Sequence, residues 1–572
     1  MATADTLSLD FEGRVLVARA GQSVAAALLG AGECALRQTM SGDPRGVYCG
    51  MGVCFDCLVT IDGAPHRRAC MTAARDGMSV RRDVPLAAAH ATDEGATEVR
   101  ERACDVLVVG GGPAGLAAAA TAAGAGLDVV LVDERPKPGG QYYKQPATAA
   151  VRPDRQAEAG AARVAAAARA GVDILTDVAI WAASWPGSIA GIGRGTRWTF
   201  KPAHLLLATG AGEASVPFPG WTLPGVMTTG AAQGLVRSHG AVPGRRILVA
   251  GNGPLNLQTA VELRRAGVEV VAVCELAAAP SLRRFADLAV LAATAPDLMR
   301  DGLALRMRLA VAGVPMLYGT AIVAADGDGR VSRATVARID AAGQPIGGSA
   351  RSFDVDCLAV GYGFVPSNEI SRALGCRHRF DDRFGELQVE KDSTGRTSVA
   401  NVWVAGDCGG LGGARLAEAE GTLAAAAIAR AMGRVAPSTM DAIERDSLRA
   451  RDRALRFQQA LWRVFDAPRL TDQLATPDCI LCRCESVTVG AVRAALARDV
   501  RGIGAVKRLT RAGMGRCQGR GCARLLTAMA ARAAGRSTGE RDFFAPRLPV
   551  KPVTIGDAAA PGLPPLLGEA RR

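Results

Sequence analysis

The chain has 572 residues, a formal net charge of +13, 49% hydrophobic and 22% charged residues. This is the composition of a globular protein, at a length that a single hydrophobic core does not serve, so several domains are expected. The positive charge is mostly arginine scattered through an Ala/Gly/Arg-rich sequence without a basic, aromatic-interleaved block, which reads as composition bias and not as a nucleic-acid surface. No apolar run reaches bilayer length, and MATADTLSLDFEGR lacks a basic start and hydrophobic segment, so a soluble, cytoplasmic protein with no membrane span is expected.

In such a compartment fifteen cysteines are not expected to form disulfides, and clustered ones point to metal. TLSLDFEGRVLVARAGQSVAAALLGAG predicts a hairpin and then a helix, and LVTIDG a strand ending in a turn. Between them stands YCGMGVCFDC, and the series Cys49-x4-Cys54-x2-Cys57-x12-Cys70 has the spacing of plant-type [2Fe–2S] ligands. Gly50 and Gly52 suit a loop that turns bare backbone N–H groups toward sulfur. Zinc, which favours paired C-x2-C or Cys/His sets, is the alternative. Residues 1–99 are expected to form a ferredoxin-like α+β domain.

A polar linker around residues 89–103 leads into CDVLVVGGGPAGLAAAATAAGAGLDVVLVDERPKPGGQ. The strand DVLVV runs into Gly110-x-Gly112-x-x-Gly115 and an Ala-rich helix, and a second strand ends at Glu134, 24 residues after Gly110. This is the dinucleotide-binding pattern: tight turn, close pyrophosphate approach, close helix–strand packing, and an acid for a ribose hydroxyl. RRILVAGNGPLNLQTAVELRRAGVEVVAVCE repeats it, with Gly251, Gly253 and Glu275 at the same spacing. Asn256 replaces the third glycine and is expected to loosen the packing there, leaving open whether this half binds NAD or is a repeat without a ligand. DERPKPGGQYYKQP has no cysteine pair, unlike disulfide reductases of this fold. Cys104, Cys274, Cys357, Cys376 and Cys408 are isolated and read as core residues.

Near the C-terminus come Cys482-x-Cys484, a 32-residue interval and Cys517-x4-Cys522 among glycines, with Cys479 as a fifth thiol nearby. The Pro-rich tail is expected to be extended and not helical, either disordered or strapped onto a partner protein.

Several of these pieces resemble known families. PGGQ with Gly140 and Gln141, Thr209-Gly210 after HLLLATGA, and Asp407 in NVWVAGDCGG resemble the FAD fingerprints of two-dinucleotide-binding flavoproteins, in which the late Asp bonds the flavin ribitol. Capping of the following helix is the alternative role for Asp407. The C-terminal spacing resembles the bacterioferritin-associated-ferredoxin type of [2Fe–2S] domain, which implies Cys482, Cys484, Cys517 and Cys522 as ligands and Cys479 as a bystander. Zinc and a ligand swap with Cys479 are the alternatives there.

With CGMGVCFDCLVTIDG, PFPGWTLPGVMTTGAAQ, AVGYGFVPSNE and LTRAGMGRCQGRGC, the whole arrangement resembles the electron-transfer subunits of opine (octopine and nopaline) dehydrogenases, hydrogen cyanide synthase and D-hydroxyproline dehydrogenase. These are cousins of the α chain of heterotetrameric sarcosine oxidase. The resemblance implies an oxidoreductase acting on CH–NH or CH–NH2 donors as part of a heteromer. Its partner would be a β subunit with a D-amino-acid-oxidase-like fold and its own FAD, and its acceptor a quinone or redox protein. No residue of this chain is then expected to act as acid, base or nucleophile. In the cousins FMN can sit at the subunit interface, and NAD or ATP can replace FAD in the first site. A self-sufficient NAD(P)H-dependent reductase and a non-catalytic scaffold are the rival readings.

The expected class is multidomain α/β. After the plant-type domain come an FAD-binding domain (100–215 and 346–435), an inserted NAD-binding-like domain (216–345), a helical linker (436–475), a small helical [2Fe–2S] domain (476–535) and the extended tail (536–572). The two nucleotide halves are Rossmann-like.

Overall fold

The computed structural model describes residues 6–83, 98–281, 284–434, 437–498 and 502–558. At the N-terminus, alternation in TLSLDF buries Leu9 and Phe11 on one face of Thr6–Phe11, as a half-buried strand requires. Its antiparallel partner is Arg14–Arg19. The sheet runs Arg14–Arg19, Thr6–Phe11, Met78–Arg82, Leu58–Ile61, Ala64–Arg68. The helix Val24–Gly30 begins at Ser23, whose hydroxyl accepts from Ala26 N–H at 3.2 Å, the usual N-cap bond. This is the expected α+β unit.

The first nucleotide half has five parallel strands in the order Asp173–Leu175, Val129–Val132, Glu98–Val109, Thr196–Leu207, Val402–Val404, within a seven-stranded sheet that Ile189–Gly193 and Ala179–Ala183 extend antiparallel. VVLV at 129–132 is buried throughout, as expected of a strand covered on both faces. The covering helices Pro113–Gly124 and Ala414–Ala431 are both Ala-rich, and small side chains let them approach closely. At Gly421 a Cβ would lie 2.1 Å from the Ala114 carbonyl oxygen. This contact brings the glycine loop and the late GD motif to one end of the sheet.

The inserted half has a parallel sheet ordered Val226–Thr228, Cys357–Gly361, Arg246–Gly251, Glu269–Glu275, Met316–Tyr318. The boundary drawn at 345 is therefore too early: Cys357–Gly361 is a central strand of the insert, and the chain returns to the FAD side near Phe364–Pro366, which pairs with Ala211–Glu213. Asn256 does not loosen the insert either. It is buried, its Oδ1 accepts from Thr229 Oγ1 at 2.8 Å, and its Nδ2 donates to the Gly361 carbonyl at 3.2 Å, so hydrogen bonds replace the missing glycine contact.

The linker helix Pro437–Val464 packs on Ala414–Ala431 and Phe285–Thr294. Beyond it a hairpin (Ile480–Cys482 with Val487–Thr488) and the helices Val489–Leu496, Ile503–Thr510 and Ala523–Ala533 enclose a small core of Leu481, Val492, Leu525 and Met529. The tail departs from expectation. Its described part includes a 3-10 turn at Glu540–Asp542 and a helix at Ile555–Ala558, and it packs on this same chain: Val550 is buried, and its N–H donates to the Trp181 carbonyl at 2.8 Å. The remainder, 559–572, lies outside the described residues. Among the described residues no helix is long and apolar enough to cross a membrane.

Candidate functional site

A cleft of about 1890 Å³ opens where the two halves meet. Of the nine residues the sequence nominates for FAD, eight line it: Gly110, Gly112, Glu134, Gly140, Gln141, Thr209, Gly210 and Asp407. Gly115 is set behind, where a Cβ would lie 1.8 Å from the Gly110 carbonyl oxygen. That close helix–strand approach is the third glycine's part in such a motif. The helix starting at Pro113 directs its N-terminus at the cleft, an anion-binding arrangement.

Three of these side chains already have partners. Asp407 Oδ1 accepts from Gly412 N–H at 2.8 Å and Gly413 N–H at 3.0 Å, just ahead of Ala414–Ala431, while no described residue bonds its Oδ2. Burial raises its carboxyl, although those two N–H donors oppose the shift. Thr209 Oγ1 donates to the Ser367 carbonyl at 2.7 Å. Glu134 pairs with Lys551 of the tail; burial would raise its carboxyl, but the ammonium together with Arg68 and Arg135 outweighs that and holds it at about 2. The neighbouring Asp133 turns inward and accepts from Gly111 N–H at 2.7 Å and Arg135 N–H at 2.8 Å. The acidic pair DE was its only local signal.

In the second half the equivalent acid is turned inward. Glu275 is 2% exposed and accepts from Gly253 N–H and Ala277 N–H, both at 3.0 Å. Burial pushes its carboxyl up to about 7.

The cleft also reaches Met51 and Val53 of the first cysteine loop. There the four thiols gather two and two, Cys49 against Cys54 and Cys57 against Cys70, with each pair in the field of the other. Met51 N–H points at Cys49 Sγ at 3.5 Å. The C-terminal loop does the same, pairing Cys482 with Cys522 and Cys484 with Cys517. Contact with its partner thiol draws Cys49, Cys482 and Cys517 each downward. Among the described residues no group of three His, Cys, Asp or Glu side chains forms a single-ion site. A two-and-two set instead fits a two-iron cluster, where each iron takes two thiolates. Cys479 stands apart, its sulfur accepting from Thr476 N–H at 3.3 Å. The five isolated cysteines are buried, and burial pushes Cys104 and Cys274 up to about 12, which suits core residues and not nucleophiles.

The two cysteine loops touch. Cys484 Sγ donates to the Cys54 carbonyl at 3.8 Å. Arg483, between two C-terminal thiols, pairs with the fully buried Asp56, which also accepts from Arg37 at 2.6 Å. Its guanidinium lies 4.1 Å from the Tyr48 ring centre and 4.6 Å from that of Trp221, and it donates to the Trp221 carbonyl at 2.8 Å. Trp221 Nε1 in turn donates to the Ile480 carbonyl at 2.7 Å. Thus Trp221 of PFPGWTLPG locks the second loop to the insert, a role its sequence did not disclose.

Comparison with known proteins accords with this layout. Residues 104–433 match the pyridine nucleotide-disulphide oxidoreductase family, residues 4–85 the 2Fe-2S iron-sulfur cluster binding domain, and residues 480–561 the sarcosine oxidase A3 domain. Hydrogen cyanide synthase subunit HcnB of Pseudomonas aeruginosa is 37% identical over 458 residues, covering 78% of this chain and 96% of that protein. The chain belongs to the HcnB and opine oxidase family. The opine oxidase relative, the A component of the Agrobacterium tumefaciens enzyme, is 32% identical, over 80% of this chain and 91% of its own length. The alpha chain of Rhizobium meliloti sarcosine oxidase is 34% identical over 205 residues, 33% of this chain and 20% of that protein. L-proline dehydrogenase from P. horikoshii shares the fold, with a TM-score of 0.72, 20% identity and 98% of each chain covered. The chain is thus an oxidoreductase with a flavoprotein core and a 2Fe-2S domain.

Proposed function

We propose that this chain is the electron-transferring flavin and iron–sulfur subunit of a heteromeric amino- or imino-acid dehydrogenase, passing electrons from a partner's flavin to an acceptor such as a quinone or redox protein. One observation carries the reading: the dinucleotide cleft reaches Met51 and Val53 of the first cysteine loop, and that loop touches the second through Cys54 and Cys484. Three cofactor-sized sites in continuous contact suit a conduit.

In this reading Gly110, Gly112 and the N-terminus of the helix Pro113–Gly124 hold the FAD pyrophosphate. Gly115 keeps that helix on its strand, Glu134 meets the ribose, and Asp407 offers its unengaged Oδ2 to the ribitol. Gly140, Gln141, Thr209 and Gly210 complete the walls. Asp407 favours FAD over NAD or ATP in this site, and FMN would belong to the interface with the partner. Cys49, Cys54, Cys57 and Cys70 hold one [2Fe–2S] cluster, and Cys482, Cys484, Cys517 and Cys522 the other. The cofactors supply the electron chemistry; the chain supplies spacing, burial and field. No side chain of this chain acts as acid, base or nucleophile. The partner is a D-amino-acid-oxidase-like β subunit that oxidises the C–N bond.

The cofactor-replete chain alone should show no turnover of proline, hydroxyproline, octopine, nopaline, sarcosine or glycine with an artificial dye as acceptor, and adding the partner subunit should restore it. Turnover by the pure single chain overturns the reading.

A further inference from the structure

Three guanidiniums, Arg37, Arg45 and Arg483, with side-chain exposures of 10%, 3% and 8%, surround one fully buried carboxylate, Asp56. Among the described residues Arg45 has no ion-pair partner nearer than Asp43, 3.9 Å away with its side chain half exposed. Its Nε and Nη2 have no hydrogen-bond partner, and neither has Arg37 Nε. Arg516 adds another cation, beside Asp83, Arg37 and Cys484. Buried charge of one sign is costly unless paired, and with Asp56 and Asp83 as the buried carboxylates beside four arginines this core is short of negative charge. Asp56 sits between Cys54 and Cys57, and Arg483 between Cys482 and Cys484. A two-iron cluster with four thiolates carries about −2 when oxidised and about −3 when reduced, which is the sign and position the arginines require.

Resting on the reading of two clusters, we infer that the arginine cage around Asp56 is a shared positioning device, which holds the two cysteine loops in contact and raises the reduction potential of both centres together. Clusters held by the two loops would exchange one electron, the one oxidised as the other is reduced, with no bond or proton changing hands, and the arginines of this chain would set the field in which they do so. Positive charge at the junction favours the more negative, reduced state of each loop, and Arg45 contributes charge without making the Asp56 hydrogen bonds.

The test is a redox titration of the full chain, following the two paramagnetic signals separately. Arg45→Met, which keeps the apolar stem, should lower both one-electron reduction equilibria about tenfold, or about 59 mV, and Arg45→Lys should restore most of the shift. Asp56→Asn should move both potentials the opposite way, which mere loosening of the loops would not do. Unmoved potentials, or a shift confined to the plant-type signal, in protein that carries its full iron overturn the inference alone. Wild-type protein with iron for only one cluster overturns the two-cluster reading and the inference with it.

Discussion

Asp407 serves two neighbours with one carboxylate. Oδ1 ties down the loop at Gly412 and Gly413, so both roles that its sequence context allowed, helix-entry cap and ribitol acceptor, are available at once. Asp407→Ala should weaken flavin binding by the cost of a charge-assisted hydrogen bond, about 1.5–3 kcal/mol. Flavin content unchanged after extensive dialysis would refute the ribitol role. Glu275 makes a second residue-level test. Its folded value of about 7 lies above the ordinary 4.5, so the stability it confers is complete below pH 4.5 and is lost as pH rises through 7, when the unfolded chain ionises first. Glu275→Gln removes that dependence and should gain stability relative to wild type between pH 5 and 8, on the order of 3 kcal/mol. Parallel melting curves for the two proteins across this range would count against it. The first cysteine series and the glycine loops were legible because each is a local pattern, whereas the C-terminal quartet was legible only through its resemblance to a known domain type. Lys551 on Glu134 and Arg483 on Asp56 were not, since those partners are 417 and 427 residues apart, and nothing near a lone Lys or Arg announces a distant carboxylate.

At the scale of elements, the tail shows how composition can mislead. Its prolines do keep much of it extended, yet an extended segment can still dock. Gln518 Nε2 donates to the Pro549 carbonyl at 2.8 Å and Arg520 to that of Val550 at 2.6 Å, while Val550 N–H reaches Trp181 and Lys551 reaches Glu134. The tail thus staples the second cysteine loop to the first nucleotide half. Truncation after Gly535 should expose Trp181, lower the melting temperature by several degrees and speed flavin loss on gel filtration. If melting temperature and flavin-to-protein ratio both stay constant, the tail is a passenger. The misplaced insert boundary has a related origin. DCLAVGYG reads as a buried strand whichever sheet receives it, and only its pairing with Arg246–Gly251 and Val226–Thr228 assigns it to the insert. Asn256 misleads in the same way: its motif position asks for glycine, while Thr229 and Gly361 supply polar partners that no local spacing reveals.

For the whole molecule, the order of domains and the two Rossmann-like halves could be read from repeated strand, glycine, helix and acid patterns. How the domains meet could not. The junction of Tyr48, Asp56, Trp221 and Arg483 draws on the N-terminal domain, the insert and the C-terminal domain, and a single sequence holds no record of such contacts. The first nucleotide sheet also carries a consequence in time. Its strand Val402–Val404 pairs with Leu205–Leu207, and Asp407 follows directly. A ribosome must therefore add roughly 200 further residues after the first four parallel strands exist, which at about 5–20 residues per second takes about 10–40 s. During that interval the edge of Leu205–Leu207 awaits its neighbour, and flavin has walls on one side only. Loading of the flavin is in this way deferred until the insert has been made and can fold, so a nascent chain stalled within the insert would emerge without flavin.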